Sequence, residues 1–234
     1  MRFSFIAPIV KKALCLAPLI ALANSAHGVT IYTEVGDAGE LPATAQTTTD
    51  TTQAFDEIKG TLAPASGDSV DMYKIYINGG GDFSAETIGG VGFDSELFLF
   101  DSTGKGVYAN DDTTGFLTPS LLPAGNALTP TVAGYYYLAI SQCCHQPFSS
   151  GGAIFEDVDG GSGHLLLSGP TGAGGAMPVT SFGGSFDQAP GGGAYTIFLT
   201  GATLAPSIPE PSILMLMLAG TASLALLRRR NAGK

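Results

Sequence analysis

Asp94, Asp101, Asp111 and Asp112 flank a short apolar run, Glu96–Phe100, and Asp71 stands in the run before it. Carboxylates at the ends of extended segments supply hard oxygen donors. Ca²⁺ takes about six to eight of these, carboxylates and backbone carbonyls together. The same residue type at a turn also hydrogen-bonds its own backbone with no ion involved. Both readings stay open on these residues. Asp157-Val158-Asp159-Gly160 has the start of a calcium loop but lacks the third ligand and the closing glutamate.

Cys143 and Cys144 are adjacent, and His145 follows them. In an oxidising compartment two such thiols form a vicinal disulfide or bridge to another chain. With His145 they also offer three soft-metal ligands, although a structural zinc site needs a fourth and spaces its cysteines further apart. No hydrolase elbow of the Gly-x-Ser-x-Gly type, His-Glu-x-x-His pair or phosphate-binding loop with a lysine occurs in the 234 residues. The expectation is a protein without catalytic activity.

The two ends of the chain carry a different kind of information. Arg2, Lys11 and Lys12 precede an apolar stretch from Ala13 to Ala23, and small residues follow at Ala21-Leu22-Ala23 and Ala26-His27-Gly28. That order reads as a secretory signal peptide, cut after Gly28. Cys15 lies at the front of the apolar stretch and not behind it, which argues against a lipoprotein cysteine. At the other end, Pro209-Glu210-Pro211 is followed by 15 uncharged residues, Ile213 to Leu227, and then Arg228-Arg229-Arg230. A helix of that length spans roughly 22 Å, short of the ~30 Å hydrocarbon core. Arginines directly behind it hold that end on the cytoplasmic side, so the tail reads as a stop-transfer element.

Setting both ends aside changes the charge. Residues 29–206 keep three lysines (Lys59, Lys74, Lys105) against 19 carboxylates, a formal charge of −16, where the whole chain carries −10. Such a surface repels nucleic acid and anionic lipid and suits divalent cations.

About 178 residues remain, enough for one domain with its own core. Period-2 alternation predicts strands at Phe55–Leu62, Val70–Asn78, Phe83–Ile88, Glu96–Phe100, Val107–Asn110, Tyr135–Ser141 and Tyr195–Thr200. In the second, Tyr73, Ile75 and Ile77 oppose Met72, Lys74 and Tyr76. Glu96–Phe100 is apolar on both faces, as a strand covered on each side must be. Glycine pairs and triplets separate these runs and interrupt any helix. Thr44 to Gln53 reads as part of an extended lead-in, and Gln142 to Pro190 as a long Gly-rich region with one possible strand at His164–Leu167. The pattern predicts an all-β chain, a single antiparallel β-sandwich of jelly-roll type.

Two resemblances add to this reading. The order Pro-Glu-Pro, short apolar segment, arginine cluster resembles the PEP-CTERM sorting signal of Gram-negative bacteria, over about the last 27 residues from Ser207. The resemblance implies processing by an exosortase, a membrane-embedded transpeptidase, with Pro209, Glu210, Pro211, Arg228, Arg229 and Arg230 as the recognised residues. It also implies a transient stay in the inner membrane, then a place at the cell surface or in the exopolysaccharide matrix. The second likeness runs through residues 37–140. Asp37-Ala38-Gly39-Glu40-Leu41-Pro42-Ala43-Thr44-Ala45-Gln46, Asp71-Met72-Tyr73-Lys74-Ile75, Phe93-Asp94-Ser95-Glu96-Leu97-Phe98-Leu99-Phe100-Asp101, Tyr108-Ala109-Asn110-Asp111-Asp112 and Gly134-Tyr135-Tyr136-Tyr137-Leu138-Ala139-Ile140 are similar to blocks of bacterial pre-peptidase C-terminal domains. Those are β-sandwich modules appended to secreted proteases, and some depend on calcium. One departure is that such modules usually accompany a larger catalytic domain.

The organisation expected is therefore a signal peptide at 1–28, an extended lead-in at 29–54, a β-sandwich at 55–204 and a sorting tail at 205–234 with its transmembrane segment at 213–227. Asp71, Asp94, Asp101, Asp111 and Asp112 are the candidate Ca²⁺ ligands, and Cys143–Cys144 the candidate vicinal disulfide. The function expected is that of an exported surface or matrix protein associated with exopolysaccharide. A Ca²⁺-stabilised module binding a glycan or a protein is the alternative.

Overall fold

A computed structural model of the chain describes residues 29–48, 55–113, 119–156, 167–184 and 191–203. The signal peptide, the sorting tail with its apolar segment, Asp157–Gly160 and nearly all of His164–Leu167 lie outside the described residues.

The strands in chain order begin with β1 (Ile31–Thr33), β2 (Gln46–Thr47), β3 (Glu57–Leu62), β4 (Val70–Ile77) and β5 (Ser84–Glu86). They continue with β6 (Ser95–Asp101), β7 (Gly106–Asn110), β8 (Leu121–Leu122) and β9 (Gly134–Gln142). The last are β10 (His145–Ser149), β11 (Gly152–Ala153), β12 (Ser181–Gly184), β13 (Gly193–Thr200) and β14 (Ala202–Thr203). One sheet runs β1-β3-β13-β5-β8. A second runs β14-β4-β9-β6-β7 with β2 added at β4.

These two sheets make the sandwich, and the alternation of each strand explains why they meet. Ile58 and Leu62 of β3, Ile197 and Leu199 of β13, Tyr73, Ile75 and Ile77 of β4, Leu97 and Leu99 of β6, and Leu138 and Ile140 of β9 form one buried cluster. Successive side chains of a strand point to opposite faces, so β4 and β6 send their alternate residues the other way. On that outer face Val70, Met72, Phe98, Phe100 and Ala139 are buried as well. What covers them is a small third sheet, β11-β10-β12, with Ile154, Phe155, Val179 and Phe182. Phe98 meets Phe155 at 5.9 Å and Phe182 at 5.8 Å between ring centroids. Both apolar faces of the Glu96–Phe100 run are thereby accounted for.

The all-β fold is as the alternation predicts, and the seven expected strands are present, with Phe83–Ile88 shortened to Ser84–Glu86. The 142–190 region differs from expectation, because its described parts carry β10, β11 and β12. Their signal is weak for a physical reason. Pro147 sits inside β10 and donates no ladder hydrogen bond, while Gly183 and Gly184 end β12. The segment read as a lead-in contributes β1 and β2, and both pair in parallel, β1 with β3 and β2 with β4. The remaining ladders are antiparallel.

Candidate functional site

The most unusual polar chemistry begins at the start of β4. Strand alternation turns Asp71 and Tyr73 toward the space between the sheets, and both are fully buried. Facing them from β13 is Tyr195, whose hydroxyl donates to Asp71 Oδ2 at 2.6 Å. Since that proton is committed to Asp71, the Tyr73 hydroxyl is the donor in its own short contact with the Tyr195 oxygen. Burial pushes both phenols above the ordinary tyrosine range, with nearby negative charge adding to it.

Three further carboxylates close around Asp71. The segment after β1 brings Glu34 and Asp37. Glu34 is fixed by backbone N–H groups, Oε1 accepting from Ala38 at 3.1 Å and Oε2 from Thr61 at 2.8 Å. Asp37 Oδ1 accepts from Gly39 N–H at 2.6 Å, an Asx-type turn. Asp68 comes from the turn that follows a single 3₁₀ turn at Pro64–Ser66, and bridges back to Ala63. Carboxylate oxygens of Asp37, Asp68 and Asp71 all lie within 4.8 Å of one another. Gly60 of β3 leaves the room for this approach, because a Cβ there would overlap the Tyr195 hydroxyl and come within 2.7 Å of Glu34 Oε2. A surface pocket of about 340 Å³ adjoins the cluster, lined by Thr33, Glu34, Lys59, Gly60, Thr61 and Tyr195 among others.

Asp68 Oδ1 and Asp71 Oδ1 are buried and accept no hydrogen bond from the described residues. Desolvation disfavours the charged form of a carboxylate, and neighbouring negative charge does the same. Burial, opposed by the Tyr195 hydrogen bond and reinforced by Glu34 and Asp68, holds Asp71 up at about 8. Burial together with Asp37 and Glu34 raises Asp68 to about 6. Glu40 is raised in the same way, by burial and then by Asp37. Such a group of oxygens takes up either protons or a cation, and an all-oxygen donor set suits a hard divalent ion.

The five aspartates singled out in the sequence do not gather in one place. Asp71 joins the cluster just described. Asp101, at the far end of β6, accepts from Thr103 N–H at 2.7 Å, from the Thr103 hydroxyl at 2.6 Å and from Lys105 N–H at 3.1 Å. That is the turn-forming behaviour of an aspartate with no ion. Asp94 and Asp111 are buried at the other end of the same strand, beside the cysteines, and Asp112, next in the chain, is buried too. Cys143 and Cys144 form a vicinal disulfide across a cis peptide bond. Carboxylate oxygens of Asp94 and Asp111 group with Cys143 Sγ, and Glu96 groups with both sulfurs. Sequence reasoning passed over Glu34, Asp37 and Asp68. The Glu34-x-x-Asp37 and Asp68-x-x-Asp71 spacings were the available signal; the parallel pairings of β1 with β3 and of β2 with β4, with the Met72 N–H bonded to the Gly39 carbonyl at 2.9 Å, bring the first pair to the second.

Among the described residues no helix is long and apolar enough to cross a membrane, and the 213–227 segment lies outside them. No curated protein matches the chain. Residues 207–231 match the PEP-CTERM protein-sorting motif, which marks an exported, membrane-anchored precursor that exosortase, a membrane transpeptidase, processes on its way to the cell surface.

Proposed function

We propose that the exported domain is a non-catalytic module that resides at the surface of a Gram-negative bacterium in association with exopolysaccharide. The observation that carries this reading is the sorting motif at residues 207–231, paired with an N-terminal segment that reads as a secretory signal. The lack of recognised hydrolase and phosphate-binding motifs in the sequence supports it. The test is fractionation of the native host. Association predicts that the protein sediments with the matrix, and that it moves to the soluble medium in a strain unable to make the polysaccharide. A protein that fractionates identically in both strains overturns the association.

A second reading is favoured by the carboxylates at the start of β4. In it the module is stabilised by Ca²⁺ and binds a glycan or a protein. Asp37, Asp68 and Asp71, with Glu34 beside them, would hold the ion, and it would tie the N-terminal segment to β4. The buried Oδ1 of Asp71 supports this most directly. Excess Ca²⁺ should raise the melting temperature and EDTA lower it, because a ligand that binds only the folded state stabilises by mass action. An unchanged melting curve removes the ion from this reading.

A further inference from the structure

The second group of titratable residues, at the start of β6, is left without a role by the proposed function. Asp94, Glu96, Asp111 and Cys143 are each at least 95% buried, and Cys144 is 8% exposed. Three elements deliver them. Asp94 and Glu96 flank the first residue of β6, Asp111 follows β7, and the cysteines follow β9, with the Cys143 N–H bonded to the Asp94 carbonyl at 2.9 Å.

What distinguishes this group from an ordinary acidic cluster is sulfur. Cys143 Sγ lies 3.7 Å from Asp111 Oδ2. A disulfide sulfur has no proton to donate, so this is a contact between two potential ligand atoms and not a hydrogen bond. Zinc–thiolate and zinc–carboxylate bonds of about 2.3 and 2.0 Å, at the tetrahedral angle, place S and O roughly 3.5 Å apart. Cys143 and Asp111 already stand at nearly that separation. Asp94 completes a trio with them inside 4.8 Å, and Glu96 and Cys144 form a second trio that shares Cys143.

The three lysines of the exported domain lie elsewhere. Lys59 pairs with Glu57 at 2.9 Å in the other sheet, and Lys74 sits over the Tyr135 ring at 4.7 Å. Lys105 precedes β7, and Asp111 lies six residues on, roughly 20 Å along an extended chain.

We propose that reduction of Cys143–Cys144 turns this group into a binding site for a thiophilic divalent cation such as Zn²⁺ or Cd²⁺. Cys143, Asp94 and Asp111 are three of the ligands, and Cys144 or Glu96 is the fourth. With a trialkylphosphine as reductant, the S–S bond breaks, the phosphine gains the oxygen of one water to become the phosphine oxide, and that water's two hydrogens go to the two sulfurs. Each thiol that then binds the metal releases its proton. In the oxidised protein the sulfurs are tied to each other and the soft donors are withdrawn. The site is thus gated by the redox state of one bond.

The test uses protein purified from its host, oxidised or phosphine-reduced and then freed of phosphine without oxygen. Excess Ca²⁺ is present to fill the all-oxygen cluster. Cd²⁺ is titrated while thiolate-to-cadmium charge-transfer absorption is followed. One Cd²⁺ per chain should bind the reduced form, with no such band in the oxidised form. Asp111→Asn should weaken binding at least about tenfold, the scale of losses even for outer-shell partners of a metal, while Asp101→Asn leaves it unchanged. Should Asp111→Asn fail to fold, Asp94→Asn tests the same trio from another element. A reduced protein without the band overturns the proposal. So does undiminished binding in the Asp94 or Asp111 variant, which would mean that thiols act alone.

Discussion

Tyr195 and Asp71 meet at 2.6 Å across 124 positions of the chain, the phenol donating to a carboxylate that solvent does not reach. Through this bond β13 of one sheet is joined to β4 of the other, beside the oxygens that could hold an ion. Tyr195→Phe keeps the ring and removes the donor, so it leaves Asp71 with one fewer partner. An unmade hydrogen bond to a buried group costs about 1–3 kcal/mol. Urea unfolding of the metal-free variant should show a loss of that size with the m-value unchanged. A variant as stable as the parent would mean that the Asp71 carboxyl is satisfied without the phenol.

The raised carboxylates set a pH trend whose direction is the reverse of ordinary acid denaturation. Asp71 at about 8 and Asp68 at about 6, against 3.8 for either in the unfolded chain, mean that the folded state binds more protons between those values. Stability from this source is complete below about pH 4 and is lost as pH rises to 8. In EDTA the melting temperature should therefore fall from pH 5 to pH 8. Ca²⁺ competes with those protons, so it should restore stability at pH 8 and do little at pH 5. A melting temperature in EDTA that climbs over this interval contradicts the assignment.

Phe98 tests the third sheet. It is fully buried on the outer face of β6, against Phe155 and Phe182. Truncating a buried phenylalanine costs about 3–5 kcal/mol. Phe98→Ala should lower stability by that amount and expose the β10–β12 region to limited proteolysis first, because the inner core on the opposite face of β6 keeps its contacts. Cleavage beginning in β3 or β13 instead would show that the third sheet adds little.

These residues also show what the sequence makes legible. Leu97, Leu99, Tyr73, Ile75 and Ile77 alternate strictly, so the sandwich follows from period alone. Phe98 and Phe100 announce a second covered face, but nothing local says what covers it, because β10 contains Pro147 and β12 ends in glycines. The carboxylate cluster is harder still. Asp71 reads as a candidate from its place on a strand, yet Glu34 and Asp37 join it through the parallel pairings of β1 with β3 and of β2 with β4. A parallel contact between two short segments leaves no periodic trace. Asp101 is ambiguous for the opposite reason, since an aspartate whose carboxylate accepts from its own turn looks in sequence like one that awaits an ion.

The tail carries the prediction with the widest reach. The motif at residues 207–231 ends in Arg228-Arg229-Arg230, and positive charge behind a short apolar segment holds it from translocating. Processing should then cut the chain near Pro209–Pro211. Intact mass of the protein from the host envelope and medium should lack both the first 28 residues and everything beyond the cut, with any excess marking an attached group. Changing Pro209, Glu210 and Pro211 together to alanine keeps the apolar segment and its arginines but removes what the transpeptidase reads. That variant should accumulate at full tail length in the inner membrane. If the parent itself keeps Ile213 to Lys234, the protein is a permanently anchored surface protein and its place in a secreted matrix falls. If the alanine variant is cut normally, recognition lies in the apolar segment or the arginines instead.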